Sequence, residues 1–257
     1  EQPYKASLLH IFWTWQRSAL FHFTGASAVI ATAHHFELLS AQSTLPSFPL
    51  GVIGGALGIF VSFRSNSAYQ RWWEGRKLWG RLINTSRHLC AQALAYLPQQ
   101  EARETTLRHI TYVHVLRCGL RSEDLSVDEH VLRSVSPDEL DTLKVSTNPN
   151  HTLLTTQLKR FTAWQSEGRI TEFKLSDLDE SVRHLLDIQG GSERIKKTPF
   201  PPAYGYLASQ LIKLYSWLLP LCLTHDLGWW IIPVSVAICM AFQMINEVGR
   251  VLENPFE

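Results

Sequence analysis

His34 and His35 stand side by side, and paired imidazoles can begin a metal site, but no carboxylate or cysteine pair lies at ligand spacing from them. No metal is therefore expected, and the pair reads better as polar residues near the end of a span. Serine, histidine and aspartate are common enough to assemble a triad on paper, yet no GxSxG elbow or comparable local signal is present. Cys90, Cys118, Cys222 and Cys239 are far apart and form no CxxC pair, which favours buried small apolar side chains over a zinc site or a disulfide framework. The densest constellation runs from Phe63 through Arg64, Ser65, Asn66, Ser67, Ala68, Tyr69, Gln70, Arg71, Trp72, Trp73, Glu74, Gly75, Arg76, Lys77, Leu78 and Trp79 to Gly80. Aromatic rings interleaved with cations suit the boundary of a bilayer, with rings at headgroup depth and charges in water. Within it Glu74, Arg76, Lys77 and Arg81 stand at separations that suit ion pairs along a solvated helix or between subunits.

The elements that must hold this constellation follow from where charge is absent. Of the 24 basic and 23 acidic residues, only Glu1, Lys5, Arg17, Glu37, Lys213, Asp226, Glu247, Arg250, Glu253 and Glu257 fall outside residues 64–197. A central charged block with nearly bare flanks predicts a membrane protein with one large aqueous domain. The net charge of +1 gives no reason to expect a nucleic-acid partner. Two charge-free stretches, one between Arg17 and Glu37 and one from Leu38 to Phe63, are each long enough to cross about 30 Å of hydrocarbon. His22, His34 and His35 dilute the first, so a buried amphipathic helix is its alternative. Pro46 and Pro49 place the start of the second near Leu45 to Pro49, because proline costs little in a first helical turn. Two more spans are predicted over residues 203–223, where Lys213 can snorkel or face protein, and over residues 227–246, with His225, Asp226, Leu227 and Gly228 as the turn. The short turns carry Glu37 and Asp226, whereas basic residues crowd after the second span, which predicts a multi-pass cell-membrane protein with both termini and the central block in the cytoplasm. Residues 1–17 show no small-residue cleavage site after an apolar run, so no cleavable signal is expected.

The central block reads as helical. Helix formers from Asn66 to Tyr96 predict that the second span continues out of the membrane as one long helix. Further helices are expected over residues 101–120, after a Ser136 cap with Pro137 in the first turn, over residues 151–167, and over residues 176–188 with Gly190 and Gly191 as the stop. No strand pattern, repeat or low-complexity tract is visible.

The residues from Phe63 to Gly80 closely resemble the signature that follows the second transmembrane helix of prokaryotic and plant-type bestrophins. Arg64, Asn66, Tyr69, Arg71, Trp72, Glu74, Gly75 and Arg76 carry that resemblance. Glu193, Arg194 and Ile195, followed by Thr198, Pro199, Phe200, Pro201 and Tyr204, resemble the family's approach to the third span. Glu253, Asn254, Pro255 and Phe256 resemble its closing acidic-Pro-Phe motif. Glu257 stands where a glycine usually follows, and the calcium-clasping acidic run of animal members is not seen, so calcium gating is not implied.

The resemblance implies an all-α integral membrane protein of four transmembrane helices and a helical cytosolic domain, assembled as a homopentamer around one pore. It divides the chain into residues 1–63 with the first two spans, residues 64–198 as the cytosolic domain, and residues 199–257 with the last two spans. The implied partners are other copies of the chain, membrane lipid and permeant monovalent ions; no cofactor and no catalytic cycle are implied. Gly51, Gly54, Gly55 and Gly58 give two overlapping small-xxx-small spacings, which suit either a tight ring or a helix contact within one subunit. Gly55, Ile59 and Phe63 recur every four residues on one helical face. Matched to the family pattern, Ile59 and Phe63 fall in the pore neck, with Gly55 where a larger apolar residue is common. Without the resemblance, the alternative is that Ile59 and Phe63 face lipid or another helix. Counting back from Gly190 and Gly191 along that pattern puts a cytosolic aperture at Phe173, with Ile170 or Leu175 as the alternatives under a one-residue insertion. Chloride or another small anion is the implied substrate; a sodium or potassium pore of the same fold is the alternative, and a membrane-embedded enzyme is the rival from another class.

Overall fold

The computed structural model describes residues 8–39 and 47–257, with side chains from residue 13 to 39 and from residue 49 onward. Lys5, Leu45 and Pro46, used above for orientation and for the start of the second span, lie outside the described residues. Every regular element among the described residues is helical: α1 (Leu8–His35), α2 (Ser47–Tyr96), α3 (Gln99–Arg121), α4 (Glu129–Ser134), α5 (Pro137–Val145), α6 (Pro149–Ser166), α7 (Glu172–Lys197), α8 (Pro202–Leu227) and α9 (Ile231–Leu252), with two short 3-10 turns. The fold divides into two compact units, residues 1–70 with 200–253, and residues 71–199 with 254–257.

In the first unit α1, α8 and α9 pack against one another. α1 turns Phe23, Ala26, Ser27, Ile30 and Ala31 inward at helical spacing, and α8 answers with Ala208, Ile212, Tyr215 and Leu219. α2 joins this cluster through Leu50, Leu57 and Val61. The four glycines of α2 divide by role. A Cβ on Gly54 would sit 2.5 Å from the Tyr215 hydroxyl, and one on Gly58 would sit 3.4 Å from the Phe242 ring, so this pair makes room for contacts inside the subunit. Gly51 and Gly55 meet nothing within 4 Å.

Pro202–Leu252 is long and apolar enough to cross a membrane on length and composition, and it is the stretch among the described residues that passes on those grounds. It contains both α8 and α9, separated at Gly228, which takes a left-handed φ of 52°. The turn expected over His225 to Gly228 is therefore shorter than predicted: α8 stays helical to Leu227, and only at Gly228 does the chain adopt a backbone that a Cβ would oppose. In α1 and α2 the apolar signal is diluted by polar residues and shows instead as exposure: Phe21, Val29, Val52, Ile59 and Phe63 all face outward. Apolar surface on that scale needs a cover of lipid or protein.

In the second unit Leu82, Leu89 and Ala93 of α2, Tyr112, Val115 and Leu116 of α3, Leu153 and Phe161 of α6, and Leu178, Val182 and Leu185 of α7 share one core. The caps are local and readable. Ser136 Oγ accepts from Glu139 N–H at 3.3 Å, and Asn148 Oδ1 accepts from His151 N–H at 3.0 Å ahead of Pro149. Gly190 and Gly191 do not stop α7, contrary to expectation; the helix runs through both to Lys197. A Cβ on Gly191 would lie 3.0 Å from a methyl of Leu78, so that glycine serves close packing of α7 on α2. Of the ion pairs expected for Glu74, Arg76, Lys77 and Arg81 along α2 or between subunits, those along α2 are not formed; Glu74 pairs with Arg194 of α7, a partner far away in sequence but brought close by that packing.

His109 lies in this core with neither ring nitrogen hydrogen-bonded, stacked on Tyr112 at 5.8 Å. Burial lowers its pKa from 6.5 to about 4. The unfolded chain then holds the proton more tightly, so the unit keeps full stability above pH about 6.5 and loses it as pH falls toward 4. The loss is roughly 3 kcal/mol at most, at about 1.4 kcal/mol per pKa unit. Urea midpoints measured at pH 7.5 and pH 4.5 should fall in the wild type and fall less in His109→Met. An equal fall in both would assign acid sensitivity to other groups.

Candidate pore-lining face

α2 buries Leu50, Gly54, Leu57, Val61, Arg64 and Ala68, a stripe of alternating three- and four-residue steps that marks the side packed on its own subunit. At about 100° per residue, Gly55, Ile59 and Phe63 fall opposite that stripe. Ile59 is 61% exposed and Phe63 69% exposed. Val52 shares the face toward one end; Ser62, Asn66 and Gln70 share it toward the other, and all are exposed. The face is thus apolar from Val52 to Ile59, mixed at Ser62 and Phe63, and polar at Asn66 and Gln70. Val52 and Ser62 are not singled out by the sequence, and Gln70 only as part of the aromatic-basic constellation, since only a burial stripe tells which direction the face points. In the second unit Phe173 is 87% exposed in the first turn of α7, where Thr171 Oγ1 caps by accepting from Lys174 N–H. Of its alternatives, Ile170 is buried and Leu175 is packed on the core.

The residues of the aromatic-basic constellation hold helix ends together. In the first unit buried Arg64 donates to the backbone oxygen of Asn246 at 3.2 Å, to the Asn246 side chain, and to Glu253 in an ion pair. Gly205 and Gly249 let α8 and α9 approach: a Cβ on the former would meet the Arg64 guanidinium at 3.0 Å, and one on the latter the Ser65 backbone at 3.3 Å. In the second unit Arg71 donates to the carbonyls of Thr198, at 2.6 Å, and Ile195. These belong to the C-terminal turn of α7, whose unpaired carbonyls and dipole favour a cation. Glu193 accepts from Gln189 at 2.7 Å, from Asn148 at 3.2 Å and from Lys197 at 3.1 Å. Burial alone would raise the Glu193 pKa, but these donors outweigh it and hold the carboxyl below its ordinary range. Pro255 seats on Gly75, where a Cβ would approach it to 3.0 Å, and Lys196 pairs with Glu257 at 2.6 Å. Tyr69 is exposed, and Trp72 lies 6.1 Å from Trp73 between ring centres.

Comparison with known proteins agrees with this architecture. The family described as "Bacterial/Fungal Bestrophin protein" matches residues 14–257. A voltage-dependent anion channel-forming protein of Mesorhizobium japonicum is 33% identical over 239 residues, covering 92% of this chain and 76% of its own length. One of Escherichia coli K12 is 29% identical over 92% of this chain and 77% of its own. The crystal structure of a bacterial bestrophin homolog from Klebsiella pneumoniae superposes with a TM-score of 0.85 at 25% identity, covering 93% of this chain and 88% of that one. An integral membrane protein whose regular elements among the described residues are all helices, with matches that reach from α1 to the last residues, this chain belongs to the bestrophin family.

Proposed function

We propose that five copies of this chain assemble around an axis lined by the Gly55, Ile59 and Phe63 face of α2 and pass small monovalent ions passively, chloride and other anions by preference. The observation that carries this reading is the apolar face turned away from the subunit's own packing stripe, which becomes polar at Ser62, Asn66 and Gln70. Asn66 and Gln70 lie where α2 enters the cytosolic domain, whereas Ser62 puts an exposed hydroxyl on this face within the span, which suits a water path better than lipid. A narrow apolar ring impedes ions by shedding water, so Ile59 and Phe63 form the neck and Gly55 leaves its outer end wider. The names carried by the Mesorhizobium japonicum and Escherichia coli relatives support the anion preference. Residues 1–63 and 199–257 supply the spans and residues 64–198 the cytosolic domain, with both termini cytoplasmic.

Chloride efflux from phosphatidylcholine liposomes holding the purified protein tests the reading. Efflux above that of empty liposomes is expected; potassium efflux without chloride efflux would overturn the selectivity, and neither flux would overturn the channel. At the cytosolic end Phe173 forms a second constriction. Phe173→Ala should enlarge single-channel current while native mass spectrometry still finds a pentamer, because an exposed side chain contributes little to folding. Loss of the folded domain would make Phe173 a core residue.

A further inference from the structure

A cavity of about 300 Å³ in the second unit takes no part in the ion path proposed above. Its walls are Trp72 and Trp79 of α2, Leu120 of α3, and Phe256 of the C-terminal segment. Arg76, Arg117 and Arg121 also line it. Size and make-up match small-ligand sites, which begin near about 300 Å³ and combine apolar walls with a few polar groups.

The charges narrow the ligand further. Arg117 is hydrogen-bonded to Asp128 and lies 3.6 Å from Glu123, and Arg121 pairs with Glu123 at 3.1 Å. Asp128 is ionised: burial opposes its charge, but the Val131 N–H and Arg117 outweigh it and hold its pKa below the ordinary range. The two carboxylates thus offset two of the three guanidiniums. Arg76 is exposed and has no hydrogen-bond or ion-pair partner among the described residues. One uncompensated cation beside two indole side chains selects one negative charge on an apolar body, and disfavours a dianion, whose second charge would meet Glu123 and Asp128.

We infer that this cavity binds an organic monoanion, a carboxylate or phosphodiester carried on a flat or chain-like apolar body, with the anionic group on Arg76 and the body between Trp72 and Trp79. Both a soluble organic acid and an anionic lipid carry that chemistry. Because Pro255 is seated on Gly75 and Phe256 forms one wall, the occupant would also touch the C-terminal segment.

The test is equilibrium dialysis of 2-naphthoate against the full chain in phosphatidylcholine nanodiscs, corrected for empty nanodiscs. Saturable binding is expected, weakened about tenfold or more by Arg76→Gln, since a charge-assisted hydrogen bond is lost. Trp72→Leu should weaken it as well, and Arg87→Gln, an exposed cation of the same helix outside the cavity, should leave it unchanged. Nanodiscs containing phosphatidylglycerol separate the sources: lower naphthoate binding there identifies the lipid as occupant, and equal binding identifies a soluble acid. No saturable binding, binding indifferent to Arg76→Gln, or displacement by inorganic phosphate as effective as by unlabelled naphthoate would each overturn the inference.

Discussion

Shortening Ile59 and Phe63 together to alanine should raise open probability or introduce a standing leak, with the double variant exceeding either single one. In the proposed assembly five copies of each side chain narrow the path, and in an apolar passage the barrier to an ion is the water it must shed. Removing about 1.4 kcal/mol of that barrier is worth a factor of ten in passage rate, so an increase on that order or more is expected. Planar-bilayer recording of Ile59→Ala, Phe63→Ala and the pair checks this, each confirmed pentameric by native mass spectrometry. Val29→Ala is the comparison, because Val29 of α1 is exposed but lies outside the proposed pore face. It should leave conductance unchanged. If all three neck variants conduct like the wild type, the pore runs along another face of α2.

The largest effect on stability is expected at Arg64. Its side chain is 4% exposed and that of Glu253 is 22% exposed, and the guanidinium also serves the Asn246 side chain and backbone. Arg64→Ala strands a carboxylate and an amide in a partly buried place. Removing one partner of a buried pair costs up to about 3–5 kcal/mol, because the remaining carboxylate stays largely out of water. Arg250→Ala breaks the pair with Glu247, where the arginine side chain is 62% exposed, and should cost under about 1 kcal/mol. Thermal unfolding in detergent measures both. A similar small loss in the two variants would show that water reaches Arg64 and screens it.

Much of this was legible in the sequence because it rests on local rules. Ser136 before Pro137 and the uninterrupted helix formers up to Tyr96 depend only on neighbours in the chain, and α5 and the long α2 follow. The family resemblance was equally readable, since it lies in contiguous residues. Glycine gave mixed results for one physical reason: its missing Cβ serves either a turn or a close approach, and the chain does not say which. Gly228 is a turn, whereas Gly191 and Gly54 make room for Leu78 and Tyr215. Spacing along the aromatic-basic constellation suits ion pairs on its own helix or between subunits. Within the subunit Arg64, Arg71 and Glu74 reach Asn246, Glu253, Ile195, Thr198 and Arg194, partners that only the packing of α2 with α7 and α9 brings close. The spacing of Gly55, Ile59 and Phe63 defined a face; the burial of Leu50, Leu57 and Val61 gave it a direction.

That direction is the centre of the account, and cysteine accessibility tests it most directly. In a chain with the four native cysteines changed to serine, Ile59→Cys should be blocked irreversibly by a water-soluble, charged methanethiosulfonate reagent during bilayer recording, while Val29→Cys should keep its current. A conducting Ile59→Cys channel that the reagent leaves untouched would contradict a neck formed by this face of α2.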